Sequence, residues 1–369
     1  MKVALVCDWY HPRVGGIELH LQDLATRLTG AGHDVVVITP TPGASNVDGV
    51  RVHRIEAPLA PVFRFLTTAG GVRLIGEALA AERADVVHCH VSIVSPAAMG
   101  GALQAERRQI PTVITFHSVV PRTDLVAHAV NATLSSGTWR VKYTAVSERV
   151  ARDVRPVAGA QTMTVLRNGV DVGAWRVDPI ARPSGPVELI SVMRLNAKKR
   201  PFALVDLMRT LRERPASVDV RLRMVGDGPL RTSLERVIRR HYLHDRIQLL
   251  GARSRYDIRA LFAESDVFVL PTVRESFGLA ALEARCAGLS VVAMRASGVS
   301  ELIEHGREGL LAGSDAELTQ HVRTLVDRPD LRAAIANHNR STAPACDWSQ
   351  VLDAHLALYR EAIALRESV

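Results

Sequence analysis

The pattern that most restricts this chain is an alternation that starts twice: short, almost wholly apolar runs of strand length separated by longer stretches of helical period. Residues 3–7 form such a run, a helical pattern follows over 16–31, and after Gly32-His33 another strand run covers 34–39. Consecutive strands joined through a helix lie parallel, because a crossover of that length is what returns the chain to the same edge. Further strands are expected at 50–55, 86–89, 112–116 and 143–146, with helices over 67–82, 96–108 and 148–157. Pro179, Pro183, Gly185 and Pro186 then break the pattern with a linker composition. A second set follows, with strands at 187–192, 220–225, 247–250, 267–270 and 290–293 and helices over 202–212, 230–241, 256–264 and 280–287. The fold class expected is α/β, with two Rossmann-like, doubly wound parallel-sheet domains facing across a cleft. The expected domains are residues 1–178 and 187–347, joined by a hinge at 179–186. Val351, Leu352, Leu356, Tyr359 and Ile363 give residues 348–369 one apolar helical face, expected to pack back across the lobes.

At 369 residues the chain is too long for one ordinary core at roughly 150 residues per domain. Its net charge of +8 is carried mostly by arginine, which suits phosphates or anionic lipid heads as well as a solvated surface. Nucleic acid is not an expected partner: there is no block of consecutive cations, aromatics are only 4% of residues, and no zinc-finger or helix-turn-helix spacing appears. Cys7, Cys89, Cys286 and Cys346 are far apart, indicating neither a disulfide framework nor a thiolate metal site. No run reaches the length of a membrane span and no signal-like core follows Met1. A cytoplasmic protein, at most peripheral on the inner face of a membrane, is expected.

Ligands of doubly wound sheets sit beyond the carboxyl ends of the strands, and the chemically rich segments fall there. Gly15-Gly16 follows the first strand and opens a helix, either as a tight turn or as a phosphate cradle. Arg194 and Lys199 follow the strand at 187–192, five residues apart, a spacing that lets a loop bring a guanidinium and an ammonium onto one diphosphate, although Lys198-Lys199-Arg200 also suits an ordinary solvated loop. The segment from Arg274 through Glu275, Ser276, Phe277, Gly278 and Leu279 to Glu283 runs from a loop into a helix. Its two carboxylates suit sugar hydroxyls and its helix start suits a phosphate. His117 follows the strand at 112–116. His88-Cys89-His90 offers two imidazoles on one strand but no third ligand, and no Asp-x-Asp pair exists to hold a divalent cation. No metal site and no cofactor are therefore expected. Gly226-Asp227-Gly228-Pro229 breaks the dinucleotide fingerprint, which argues against an oxidoreductase.

Taken together, Gly15-Gly16 with Glu18 and His20, Asn168-Gly169-Val170-Asp171, Arg194 with Lys199, Val225 to Pro229 and the Glu275-to-Glu283 element resemble glycosyltransferase family 4 over nearly the whole chain. Residues 242–246 and 249–252 are similar to members of that family that transfer N-acetylglucosamine to phosphatidylinositol, and the layout of the chain also resembles bacterial phosphatidylinositol mannosyltransferases. The resemblance implies the GT-B fold and a retaining hexosyl transfer from a nucleotide-sugar donor, GDP-mannose or UDP-N-acetylglucosamine, to a lipid-linked, phosphorylated or glycan acceptor. It assigns Glu283 to the ribose, Glu275 to the donor sugar, Arg194 and Lys199 to the diphosphate, Gly15-Gly16 to a phosphate and His117 to the sugar near its reacting carbon. Residues 296–301, Ala-Ser-Gly-Val-Ser-Glu, depart from the Gly-Gly that the family has there. A nucleotide-sugar epimerase or hydrolase on the same fold, or a non-catalytic binding protein, fits the same motifs. An acceptor and membrane surface is expected from residues 62–66, Arg73 and residues 119–122, which mix apolar and basic groups.

Overall fold

The structure is a computed structural model and describes residues 1–56, 69–92, 95–118, 125, 134–180, 185–213 and 219–368. The chain forms two compact units, Met1–Gly169 with Trp348–Val369, and Val170–Asp347.

The first unit is built on eight strands among the described residues: β1 (Lys2–Cys7), β2 (Asp34–Thr39), β3 (Asn46–Val47), β4 (Val50–Arg54), β5 (Val86–Val91), β6 (Thr112–Phe116), β7 (Lys142–Ala145) and β8 (Met163–Val165). Their order in the sheet is β3-β4-β2-β1-β5-β6-β7-β8, parallel throughout except for the β3–β4 pair. That hairpin turns on Asp48 and Gly49, both at positive φ (48° and 84°), as a two-residue hairpin loop requires. The chain moves outward from β1 to β2 and β4, then returns to the other side of β1 as β5. The crevice between the ends of β1 and β5 is thus the switch point of this sheet. The helix Gly16–Gly30 buries Leu21, Leu24, Ala25 and Leu28, at helical spacing, against Leu5, Val35 and Val37. The helix Trp348–Glu367 completes the same core with Trp348, Val351, Leu358 and Tyr359.

The second unit has a six-stranded parallel sheet among the described residues: β9 (Val187–Val192), β10 (Val220–Val225), β11 (Ile247–Gly251), β12 (Val267–Leu270), β13 (Ser290–Met294) and β14 (Gly309–Ala312). The order β11-β10-β9-β12-β13-β14 is the doubly wound arrangement whose switch point lies between its first and fourth strands, here β9 and β12.

The helix 348–367 was expected from its apolar face, and it belongs to the first unit. The segment 179–186, expected as a hinge, falls inside the second unit; of it, residues 181–184 lie outside the described residues, and Ile180 donates its N–H to the Ala263 carbonyl at 2.9 Å. Strands β3, β8 and β14 and the helices Asp315–Asp327 and Pro329–Ser341 were not anticipated.

Candidate active site

The switch point of the second unit gathers most of the residues singled out in the sequence. After β9 the chain makes a short 3-10 turn, Ala197–Lys199, whose N-cap Asn196 accepts from the Lys199 N–H at 3.1 Å. Arg200 follows at φ 57°. The turn is fastened to the segment after β12 twice: Arg200 Nη1 donates to the Pro271 carbonyl at 2.9 Å, and the buried Thr272 hydroxyl donates to the Lys199 carbonyl at 3.3 Å. Held this way, Lys199 Nζ meets Glu275 Oε2 at 2.5 Å across the crevice. Both side chains stay partly open to solvent, at 24% and 15%, so the pair is reachable by a ligand. Arg194 lies exposed on the same loop. Burial, followed by the neighbouring Lys199 charge, pulls the Lys198 ammonium below its ordinary pKa.

Glycines hold this arrangement by close backbone approach. A Cβ on Gly226 would lie 1.9 Å from the Met193 carbonyl oxygen, and one on Gly228 would lie 2.6 Å from that of Leu195. The Gly226-Asp227-Gly228 turn therefore lies directly against the Met193–Leu195 backbone that carries Arg194. Met193 N donates to Val225 O at 3.0 Å and Leu195 N to Asp227 O at 2.9 Å. On the Glu275 side, Gly298 donates its N–H to the Glu275 carbonyl at 2.8 Å, and a Cβ there would stand 2.2 Å from the Ser276 carbonyl oxygen. Gly278, at φ 95°, opens the helix Leu279–Cys286. Ser276 and Phe277 are buried beside it, and Glu283 is buried on the helix at 7% exposure.

The first unit carries the remaining candidates. Gly15 is the extended N-cap of the helix Gly16–Gly30, and a Cβ on Gly16 would meet nothing within 4 Å. The Gly16 position thus has free space that its turn does not need. Arg13 stacks over the Trp9 ring, 3.9 Å from its centroid, and its Nε pairs with Glu18 at 3.0 Å. Asp8, at the end of β1, accepts from the N–H groups of Ala97 and Ala98 at 2.9 and 3.2 Å, so it caps the helix Pro96–Arg107 from across the switch point. Burial pushes its carboxyl up to about 6 despite these bonds. Asp8 carried no sequence signal, since its partners are about ninety residues away.

His117 follows β6 directly and is fixed by its backbone N–H to the Val91 carbonyl at 2.8 Å. Its Nε2 lies 3.0 Å from His90 Nδ1. His88 shares the face of β5 with His90, ring centroids 3.9 Å apart, and bonds Tyr359 Oη at 2.8 Å and Thr115 Oγ1 at 2.6 Å. His20 stacks on Trp348 at 5.2 Å and lies 5.6 Å from His117, while His355 lies 5.7 Å from His88. Five imidazoles are thus buried together, and burial drives four of them below their ordinary pKa: His117 to about 3, His355 to about 4, and His88 and His90 well down. His117 is a neutral imidazole at physiological pH, able to donate or accept one hydrogen bond. His88 and His90, weighed as a metal pair in the sequence, serve this network. His20 and His355 sit on separate helices, so nothing in their spacing announces it. Of the acceptor-side candidates, Arg73 is an exposed helix residue 3.6 Å from Glu77; residues 62–66 and 119–122 lie outside the described residues.

Two doubly wound α/β units, one with a cation–carboxylate pair at its switch point, are the architecture of the GT-B class, and the comparisons with known proteins identify that class as glycosyltransferases. The sequence matches "Glycosyl transferases group 1" over residues 177–342 and "Glycosyltransferase Family 4" over residues 14–174. It is 30% identical to glycogen synthase of Mycobacterium tuberculosis, across 97% of this chain and 94% of that one. It is 27% identical to human phosphatidylinositol N-acetylglucosaminyltransferase, in one of that enzyme's subunits, over 82% of this chain, which spans 63% of that relative's length. Anabaena HepE, solved with UDP and glucose, superposes over the full length of both chains with a TM-score of 0.77 at 22% identity. Sucrose-phosphate synthase of Thermosynechococcus elongatus superposes over 98% of this chain with a TM-score of 0.79 at 19% identity. The chain belongs to glycosyltransferase family 4. Among the described residues no helix is long and apolar enough to cross a membrane.

Proposed function

We propose that this glycosyltransferase moves a hexose or N-acetylhexosamine from GDP-mannose or UDP-N-acetylglucosamine to a lipid-linked, phosphorylated or glycan acceptor, with retention at the anomeric carbon and no divalent metal. The observation that carries this reading is the Lys199–Glu275 pair at the β9/β12 switch point. A diphosphate entering the crevice competes with Glu275 for the Lys199 ammonium, and the carboxylate so released accepts from sugar hydroxyls. Arg194, on the same loop, supplies a second cation. As the bond from the anomeric carbon to the diphosphate breaks, its electron pair goes to the leaving oxygen; the acceptor hydroxyl oxygen bonds to the same face of that carbon and its proton passes to the departing phosphate, while these fixed cations stabilise the negative charge developing there, as a metal ion does in other designs. Glu283 takes the ribose, and Gly15-Gly16 a phosphate. His117, neutral, hydrogen-bonds the sugar. The relative named as a phosphatidylinositol N-acetylglucosaminyltransferase favours a lipid acceptor presented at an anionic, cytoplasmic membrane face.

Thermal-shift titration with a panel of nucleotide sugars, with and without EDTA, tests donor and metal together: stabilisation by one of the two named donors, unaltered by EDTA, is expected. Loss of the shift in EDTA overturns metal independence. Proton NMR of the product made with phosphatidylinositol vesicles reads the anomeric outcome and the acceptor. Epimerised donor or free sugar without acceptor points instead to an epimerase or hydrolase.

A further inference from the structure

The hydrogen bond between His90 and His117 holds one proton, and its placement decides what His117 presents to a substrate. With both rings neutral, two arrangements exist. In one, His90 Nδ1–H donates to His117 Nε2 and the proton of His117 sits on Nδ1. In the other, His117 Nε2–H donates to His90 Nδ1 and the proton of His90 sits on Nε2. Neither His117 Nδ1 nor His90 Nε2 has a partner among the described residues, and both are buried. Each arrangement therefore leaves one N–H without an acceptor among the described residues, which a folded interior rarely tolerates.

The two orphans differ in what can reach them. His90 lies within β5, 1% exposed, with His88, His20 and His117 around it. His117 is the first residue past β6, at the carboxyl edge of the sheet, where doubly wound folds take their ligands. A donor on His90 Nε2 is enclosed by strand β5 and the neighbouring imidazoles, whereas one on His117 Nδ1 stands at the edge of the sheet where an oxygen-rich ligand can accept from it.

We propose that His90 is a positioning residue that holds His117 in its Nδ1–H form, so that His117 meets the substrate as a hydrogen-bond donor to a sugar oxygen and not as a base. This rests on the reading of His117 as a substrate contact. His90 acts through His117 alone, by the bond that fixes which ring nitrogen is protonated.

The test is the imidazole nitrogen spectrum of the full chain labelled with 15N-histidine, the His117 signals being those lost in His117→Gln. The expected result is a protonated Nδ1 and a bare Nε2 on His117. His90→Leu is expected to convert this to a mixture of forms. His90→Asn, whose amide N–H lies near the place of Nδ1, is expected to restore the wild-type pattern. A protonated Nε2 on wild-type His117, or a pattern indifferent to His90→Leu, overturns the proposal; the wild-type spectrum decides even if the leucine variant does not fold. UDP-N-acetylglucosamine and GDP-mannose are then titrated, and the His117 Nδ1 resonance is expected to shift with whichever binds. A donor that stabilises the wild type, fails to stabilise Lys199→Ala and leaves His117 unmoved also overturns it. If neither donor binds, the functional reading has failed while the tautomer result still decides the role of His90.

Discussion

Gly226 and Met193 stand in backbone contact: a Cβ on the glycine would come within 1.9 Å of the methionine carbonyl oxygen, at a φ of 127° that L residues rarely adopt. Gly226→Ala therefore has to push the Met193–Leu195 strand extension away or unwind its own turn. A loss on the order of 2 kcal/mol or more is expected, with donor binding falling further because Arg194 moves with the displaced backbone. Gly16→Ala is the contrast, since its Cβ has open space. It is expected to keep the melting temperature and to lower activity, because the added methyl fills the space where Gly15-Gly16 would hold a phosphate. Calorimetry and donor titration on the two variants read both halves.

Glu275→Gln and Lys199→Ala separate function from stability. A partly exposed ion pair contributes about 0–1 kcal/mol to folding, so the melting temperatures should stay near wild type. Removing one preorganised charge at a site of charge development lowers kcat by about a hundredfold or more. Initial rates with the best donor check this; unchanged rates would remove the switch-point pair from the mechanism.

Arg285 presents the opposite case. It is almost fully buried on the helix that carries Glu283, paired through Nη2 with Glu308, while its Nε and Nη1 find no partner among the described residues. Glu308→Ala leaves that charge unpaired and is expected to cost about 3 kcal/mol. Arg285→Met removes the charge along with its desolvation penalty and is expected to be neutral or stabilising. Urea unfolding of both variants tells them apart.

The histidine cluster makes the first unit acid-sensitive. Burial keeps His88, His90, His117 and His355 neutral in the fold, to about pH 3 for His117 and about 4 for His355, whereas in the unfolded chain each takes a proton near pH 6.5. Their contribution is complete above pH 6.5 and is lost as pH falls from there toward 4, on the order of 1.4 kcal/mol per pH unit for each histidine. Asp8 works the other way. Its folded pKa, raised to about 6, gives stability that is present at low pH and lost as pH rises through 6. Four groups outweigh one, so denaturant midpoints are expected to drop steeply between pH 6.5 and 4. A flat profile there would mean that the imidazoles are hydrated or charged in the fold.

The sheets were legible because their strands are mostly buried on both faces: β12 is an unbroken Val-Phe-Val-Leu run, and β1 and β9 are apolar apart from Lys2, Glu188 and Ser191. β8 and β14 were missed because three or four residues give no period. The helix Asp315–Asp327 did carry a start signal, Ser314 capping Glu317, which went unread beside the louder motifs. Lys199 and Glu275 were found by charge type and position after a strand, but not their pairing, which depends on the return of β12 to the side of β9. The Gly226-Asp227-Gly228 turn stood out in the sequence as part of the family resemblance and for the dinucleotide fingerprint it breaks, but its close backbone contact was not legible, because the partner strand lies about thirty residues earlier. Asp8 and the five-histidine core were illegible for the same reason: their partners meet only through the fold.

The helix Trp348–Glu367 lies in the first unit although the whole second unit separates it from the rest of that unit in sequence. During synthesis the ribosome delivers β1 through β8 long before the Trp348 that stacks on His20 and the Tyr359 that bonds His88. The amino-terminal half therefore keeps its histidine cluster uncovered until residues 348–367 have emerged. Its core is completed only by the last residues to be made, and a ribosome that stalls before residue 348 leaves the first sheet without Trp348 and Tyr359.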